Sequence, residues 1–67
     1  MDIINVFWDN VFWHIKNKRQ KASEVIGTNY HKACKRDYNP SLKKVQEIAE
    51  ALDIDDYAIL FERVEED

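Results

Sequence analysis

Between Asp2 and Lys16 apolar side chains recur at Ile4, Trp8, Val11, Phe12 and Ile15, in steps of four, three, one and three that mark one face of an α-helix. The next segment, KNKRQKASEVIG, puts Ala22, Val25 and Ile26 on one side and ends at Gly27, a residue that takes a left-handed helix stop at little cost. A second helix is therefore predicted near 19–26, with Asn17 and Gln20 spaced as an N-cap pair. Thr28 and Asn29 are candidate caps for a third, NYHKACKRDY, whose Tyr30, Ala33 and Cys34 share a face opposite His31, Lys32, Lys35 and Arg36. Asn39-Pro40-Ser41 then interrupts the chain, because a residue before proline avoids helical angles. Either Ser41, or Asn39 with Pro40 in the first helical position, caps a fourth helix, LKKVQEIAEALDI, with its stripe at Leu42, Val45, Ile48, Ala49 and Leu52. Asp55 or Asp56 caps a fifth, striped by Tyr57, Leu60, Phe61 and Val64, and residues 65–67 read as a frayed acidic tail.

The first helix is apolar on more than one line. Its NVFWDNVFWH stretch carries Asn-Val-Phe-Trp twice, five residues apart, and that shift leaves the copies about 140° apart around a helix axis. The repeat is thus not one contact made twice. Trp8, Val11, Phe12 and Ile15 are assigned to the core, while Val6 and Trp13, with Phe7 near their border, form a second line that must also be covered. The cover is either Tyr57, Leu60, Phe61 and Val64 of the same chain or a second copy of the protein. In the second case Phe7, Trp13, Tyr57 and Phe61 make a dimer interface of the kind that clustered exposed aromatics mark.

Composition supports helices joined by short turns. The 67 residues contain one glycine and one proline, too few for tight hairpins or long loops. The length suits a single domain, 1–67, with residues 1–10 as an N-terminal extension of the first helix. One cysteine, Cys34, cannot close an internal disulfide, and a lone thiol fits a reducing, cytoplasmic setting. Residues 3–13 are apolar-rich but carry acid rather than a basic leader, so neither a secretory signal nor a membrane span is expected.

Charge changes the picture more than composition does. A formal net charge of −3 conceals a strong polarity along the chain. Residues 14–44 hold nine Lys/Arg (Lys16, Lys18, Arg19, Lys21, Lys32, Lys35, Arg36, Lys43 and Lys44) against Glu24 and Asp37, a net of +7. Residues 45–67 hold nine acids against Arg63, a net of −8. A basic middle can meet a polyanion whatever the overall isoelectric point, although charge runs are more commonly solvated helix faces.

Gly27, a short basic helix, then NPSLKKVQEIAEALDI and a further short helix resemble the Cro/repressor class of helix-turn-helix domains. Residues 40–54 carry the likeness best, with Pro-Ser-Leu opening the fourth helix and Ile-Ala-Glu-Ala-Leu packing it, and Ala22-Ser23 with Ile26-Gly27 fit the same frame. The resemblance spans roughly residues 11–61 and implies an all-α, five-helix lambda repressor-like bundle that binds double-stranded DNA, with Gln20 matching a DNA-contacting glutamine. Two departures stand out: the stretch from Gly27 to Pro40 is shorter than usual by nearly a turn, and the glycine-containing turn between the first two helices is missing.

The residues make a parallel case. A recognition helix needs an apolar face toward its domain and amide and cationic groups toward DNA. Lys32, Lys35 and Arg36 suit phosphate, and Arg36 suits a bidentate contact to guanine. Thr28, Asn29 and His31 sit near the helix start, where base edges are reached, and Lys18, Arg19, Gln20 and Lys21 bring the preceding helix to the backbone. Tyr30 either stacks on DNA or packs, and packing is favoured. His31 and Cys34 are two metal-ligand types without partners, so no metal site is assigned. His14 has no nucleophile or carboxylate set, and no phosphate-cradling glycine loop exists, so no catalytic site, cofactor or small-molecule ligand is expected. The expectation is a sequence-specific transcriptional regulator acting as a homodimer. Its rival is a small helical protein-interaction module, antitoxin-like or phage-encoded, that does not itself read DNA.

Overall fold

The computed structural model describes residues 2–62, which form four α-helices, Ile3–Asn17 (α1), Ala22–Val25 (α2), Tyr30–Cys34 (α3) and Leu42–Ala51 (α4), followed by a 3₁₀ helix, Tyr57–Phe61. The protein is all-α, with no strand among the described residues. Val64, expected in the last stripe, and the 65–67 tail lie outside them.

α1 starts where Asp2 accepts a hydrogen bond from the Ile4 amide at 3.0 Å, and it ends at a left-handed Arg19 (φ 54°). There the Gln20 amide donates to the Ile15 carbonyl and the Arg19 amide to Lys16, the paired bonds of a Schellman stop. The same pair recurs after α3, where Arg36 has φ 60° and Asp37 and Arg36 donate to Lys32 and Ala33. It recurs again after α4, where Asp53 has φ 58° and Ile54 and Asp53 donate to Ala49 and Glu50. These stops correct the expected boundaries. The second helix is Ala22–Val25 rather than 19–26, because Arg19 is left-handed and Lys21 extended. Asn17 caps nothing: it sits in the last turn of α1 with its amide donating to the Trp13 carbonyl at 2.7 Å. The third helix stops at Cys34, and the expected fifth α-helix is a single 3₁₀ element capped by Asp56, which accepts from the Ala58 amide at 3.1 Å. Of the two caps left open for α4, Ser41 is the one used, accepting from the Lys44 amide at 3.1 Å.

The core gathers Phe7, Trp8, Val11 and Ile15 of α1, Val25 and Ile26, Ala33, Val45, Ile48 and Ala49 of α4 with Leu52 at its C-terminal cap, then Ile54 and Leu60. Burying these side chains away from water is the main force holding so short a chain together. Leu42 departs from the expected stripe and is 87% exposed. Trp8 lies at the centre with no exposed surface; its indole stacks on Tyr38 (centroids 5.5 Å apart) and its Nε1–H donates to the Tyr38 carbonyl at 2.7 Å. One buried polar side chain joins this core. Asn10 Nδ2 donates to the Val6 carbonyl at 3.0 Å, the Leu60 carbonyl at 2.9 Å and the Glu62 carbonyl, tying the 3₁₀ helix onto α1.

Phe7 corrects the expected interface. It is 1% exposed, edge-on to Trp8 at 4.8 Å and stacked on Phe61 at 5.3 Å, so it belongs to the core. The residue lies one turn before Val11 and one turn after Ile4, inside the arc that faces the 3₁₀ helix. Residues 3–10 are thus the N-terminal part of α1 and carry Phe7 and Trp8 into the core.

Candidate nucleic-acid interface

The basic segments enter the fold through its shortest elements. Lys18–Lys21 form the turn from α1 to α2, Thr28 and Asn29 the turn from α2 to α3, and His31, Lys32 and Lys35 the outer side of α3. α2 rises only about 6 Å, at 1.5 Å per residue, so the two turns stay near each other. Lys16, Arg19, Gln20, Lys21, Thr28, Asn29, His31, Lys32 and Lys35 are all exposed. Among the described residues the ion pairs are Arg36–Asp9 and Lys44–Glu47, so none of these exposed cations is paired with a described acid. Glu24 and Asp37 are the acids within the same stretch of chain.

Two predicted contact residues are engaged within the protein, Lys18 while still exposed. The Lys18 ammonium donates to the Leu52 carbonyl at the end of α4, closing the C-terminal end of α1 onto that helix. Arg36 is more completely engaged: Nε and Nη2 donate to Asp9 Oδ1 at 3.1 and 2.7 Å, and Nη1 donates to the Ala33 and Cys34 carbonyls at 3.2 and 3.0 Å. Its guanidinium also lies 5.0 Å from the centre of the Phe12 ring, a cation–π distance. Four of its five N–H groups are thereby used within the protein, which corrects the expectation of a bidentate contact to guanine. Gln20 sits in the turn before α2 rather than in its first turn.

α3 has one buried residue, Ala33, with Tyr30 packed partly against the core as favoured from its position in the chain. The Tyr30 and His31 rings are 3.9 Å apart, so His31 rests on its neighbour. On α1, desolvation lowers the pKa of His14 below its ordinary 6.5, and the nearby Lys18 charge lowers it further. Both causes favour the neutral imidazole of His14 over its charged form. Among the described residues no group of His, Cys, Asp and Glu is arranged to hold a metal, and no helix is long and apolar enough to cross a membrane.

Asp9 and Phe12 were not visible as partners of Arg36. They are separated from it by 27 and 24 residues, and no periodicity links a helix to the residue that ends another one. The chain matches no family model, no curated protein and no solved structure.

Proposed function

We propose that this protein is a cytoplasmic, sequence-specific DNA-binding regulator of transcription, built as a repressor-like helix-turn-helix domain and acting as a homodimer. The observation that carries the reading is the run of exposed cations without an acidic partner among the described residues, Lys16, Arg19, Lys21, Lys32 and Lys35, interleaved with exposed Gln20, Thr28, Asn29 and His31. Lysines and arginines on neighbouring elements form the electrostatic footprint of a phosphate backbone, and short amides and hydroxyls among them reach base edges. With Arg36 turned inward, base reading falls to Thr28, Asn29 and His31, and phosphate contact to Lys21, Lys32 and Lys35. The order of four helices and a terminal 3₁₀ turn is compatible with the repressor-like arrangement, the last turn standing in place of its fifth helix.

Salt titration tests the proposal. Log affinity for duplex DNA is expected to fall linearly with log salt, with a slope near −0.9 per phosphate contacted. Replacing Lys32 and Lys35 together by glutamine should flatten that slope by roughly two units. Absence of binding at low salt on every genomic fragment tried, including the protein's own promoter, rejects it.

The five-residue length of α3 favours a second reading, a protein-interaction module that presents the exposed sides of Trp13, Tyr57 and Phe61 to a partner. On that reading the Lys32/Lys35 substitutions leave partner binding unchanged.

A further inference from the structure

α3 is a short helix with little to hold it. A five-residue helix is far below the length at which helices persist alone, and α3 meets the core only through the buried Ala33 methyl and the partly buried Tyr30. Yet its orientation is what a reader of DNA would need fixed. The Arg36 side chain supplies a hold at both ends of its own length: Nη1 donates to the Cys34 carbonyl and shares the Ala33 carbonyl with the Arg36 backbone amide, while Nε and Nη2 reach across to Asp9 on α1. The Phe12 ring, one turn beyond Asp9 on α1, lies against the guanidinium. The left-handed turn at Arg36 brings this side chain back beneath the helix it terminates.

We infer that Asp9 is a positioning residue for the nucleic-acid face: through Arg36 it locks α3 onto α1 in the orientation that presents His31, Lys32 and Lys35 to DNA. This inference rests on the DNA-binding reading for its functional part and on the clasp geometry for its structural part. It makes a prediction of unusual sign. Asp9 is an acid, and by long-range electrostatics alone its removal from a polyanion-binding protein strengthens binding. If Asp9 orders α3, its removal weakens binding instead, because the helix must then be ordered at the moment of association.

Cys34, the single cysteine and exposed on α3, accepts a nitroxide label without any other substitution. The labelled protein, Asp9→Asn and Asp9→Glu are compared for nitroxide mobility and for affinity to a mixed-sequence DNA duplex at low salt, with circular dichroism to confirm folding. The expected result is a more mobile nitroxide in Asp9→Asn, an affinity lower by about two- to five-fold, the size of a partly exposed charge pair, and recovery of both in Asp9→Glu. Unchanged mobility together with equal or tighter binding in Asp9→Asn overturns the inference. If the wild type binds no duplex at all, the DNA reading falls and with it the role of Asp9 in binding, whereas the mobility measurement alone decides whether the clasp holds α3. Should Asp9→Asn fail to fold, Arg36→Lys carries the same test, since it keeps the charge and gives up the forked donors.

Discussion

Arg19, Arg36 and Asp53 each end a helix with φ between 54° and 60°, in a region that costs a non-glycine residue about 1–2 kcal/mol. The only glycine, Gly27, takes φ 99° after α2. Glycine is the usual written sign of such a stop, so the three unwritten ones were the boundaries that sequence reading missed, and the expected helix at 19–26 followed from missing the first. Arg19→Gly is expected to raise stability by about 0.5–1 kcal/mol, the left-handed penalty relieved less the extra entropy glycine loses on folding; chemical denaturation measures it. The same substitution removes an exposed cation, so on the proposed DNA-binding reading affinity for DNA should fall while stability rises. His14 gives a second outcome at this scale. Its folded pKa lies below 6.5, so as pH falls through 6.5 the unfolded chain takes up the proton first. Stability should therefore drop as pH is lowered from 7, until the folded-state pKa is passed, and be unaffected by His14 above neutrality. Replacement by glutamine should remove that part of the pH dependence in thermal melts.

Among the elements, those with many core contacts were legible and those held by single polar groups were not. The spacing of Val45, Ile48, Ala49 and Leu52 in α4, with Ser41 before it, specifies a helix and its start, and all four are buried as read. The 3₁₀ helix has one fully buried side chain, Leu60, and is attached by the Asn10 amide, an anchor invisible to a pattern that counts Asn10 as a polar break between two aromatic pairs. At 100° per residue the buried arc of α1 runs about 160°, from Asn10 through Phe7, Val11 and Ile15 to Trp8, which takes in Phe7 from the border of the second apolar line. Asn10→Leu keeps the size of the side chain and removes its donors. It should destabilise the protein by about 1–3 kcal/mol, the cost of buried carbonyls left without a partner. Hydrogen exchange should show the loss first in the 3₁₀ helix and only later in α4; equal loss in both means that Asn10 serves the core as a whole.

At the level of the whole molecule, the two tryptophans of the tandem motif have separated. Trp8 has no exposed surface, while Trp13, on the far side of α1 from Val11, is 40% exposed and edge-on to His14 at 4.9 Å. Tyr57 and Phe61 are 40% and 39% exposed, so the aromatic surface left for a second copy consists of Trp13 with the outer sides of these two, and Phe7 lies behind Phe61. Trp8→Ala should cost on the order of 3–5 kcal/mol, which is most or all of the stability of so small a domain, and should unfold it. Trp13→Ala empties no buried site and should leave the helical circular dichroism intact. If the proposed homodimer uses the Trp13 surface, this variant sediments as a monomer and binds DNA more weakly, because a two-fold symmetric site rewards two recognition units held together. The two variants therefore dissociate folding from assembly in one pair of measurements, sedimentation and circular dichroism. A wild type that is monomeric at high micromolar concentration removes the dimer from the proposal, and a Trp13→Ala that unfolds alongside Trp8→Ala makes the exposed indole part of the fold rather than of an interface.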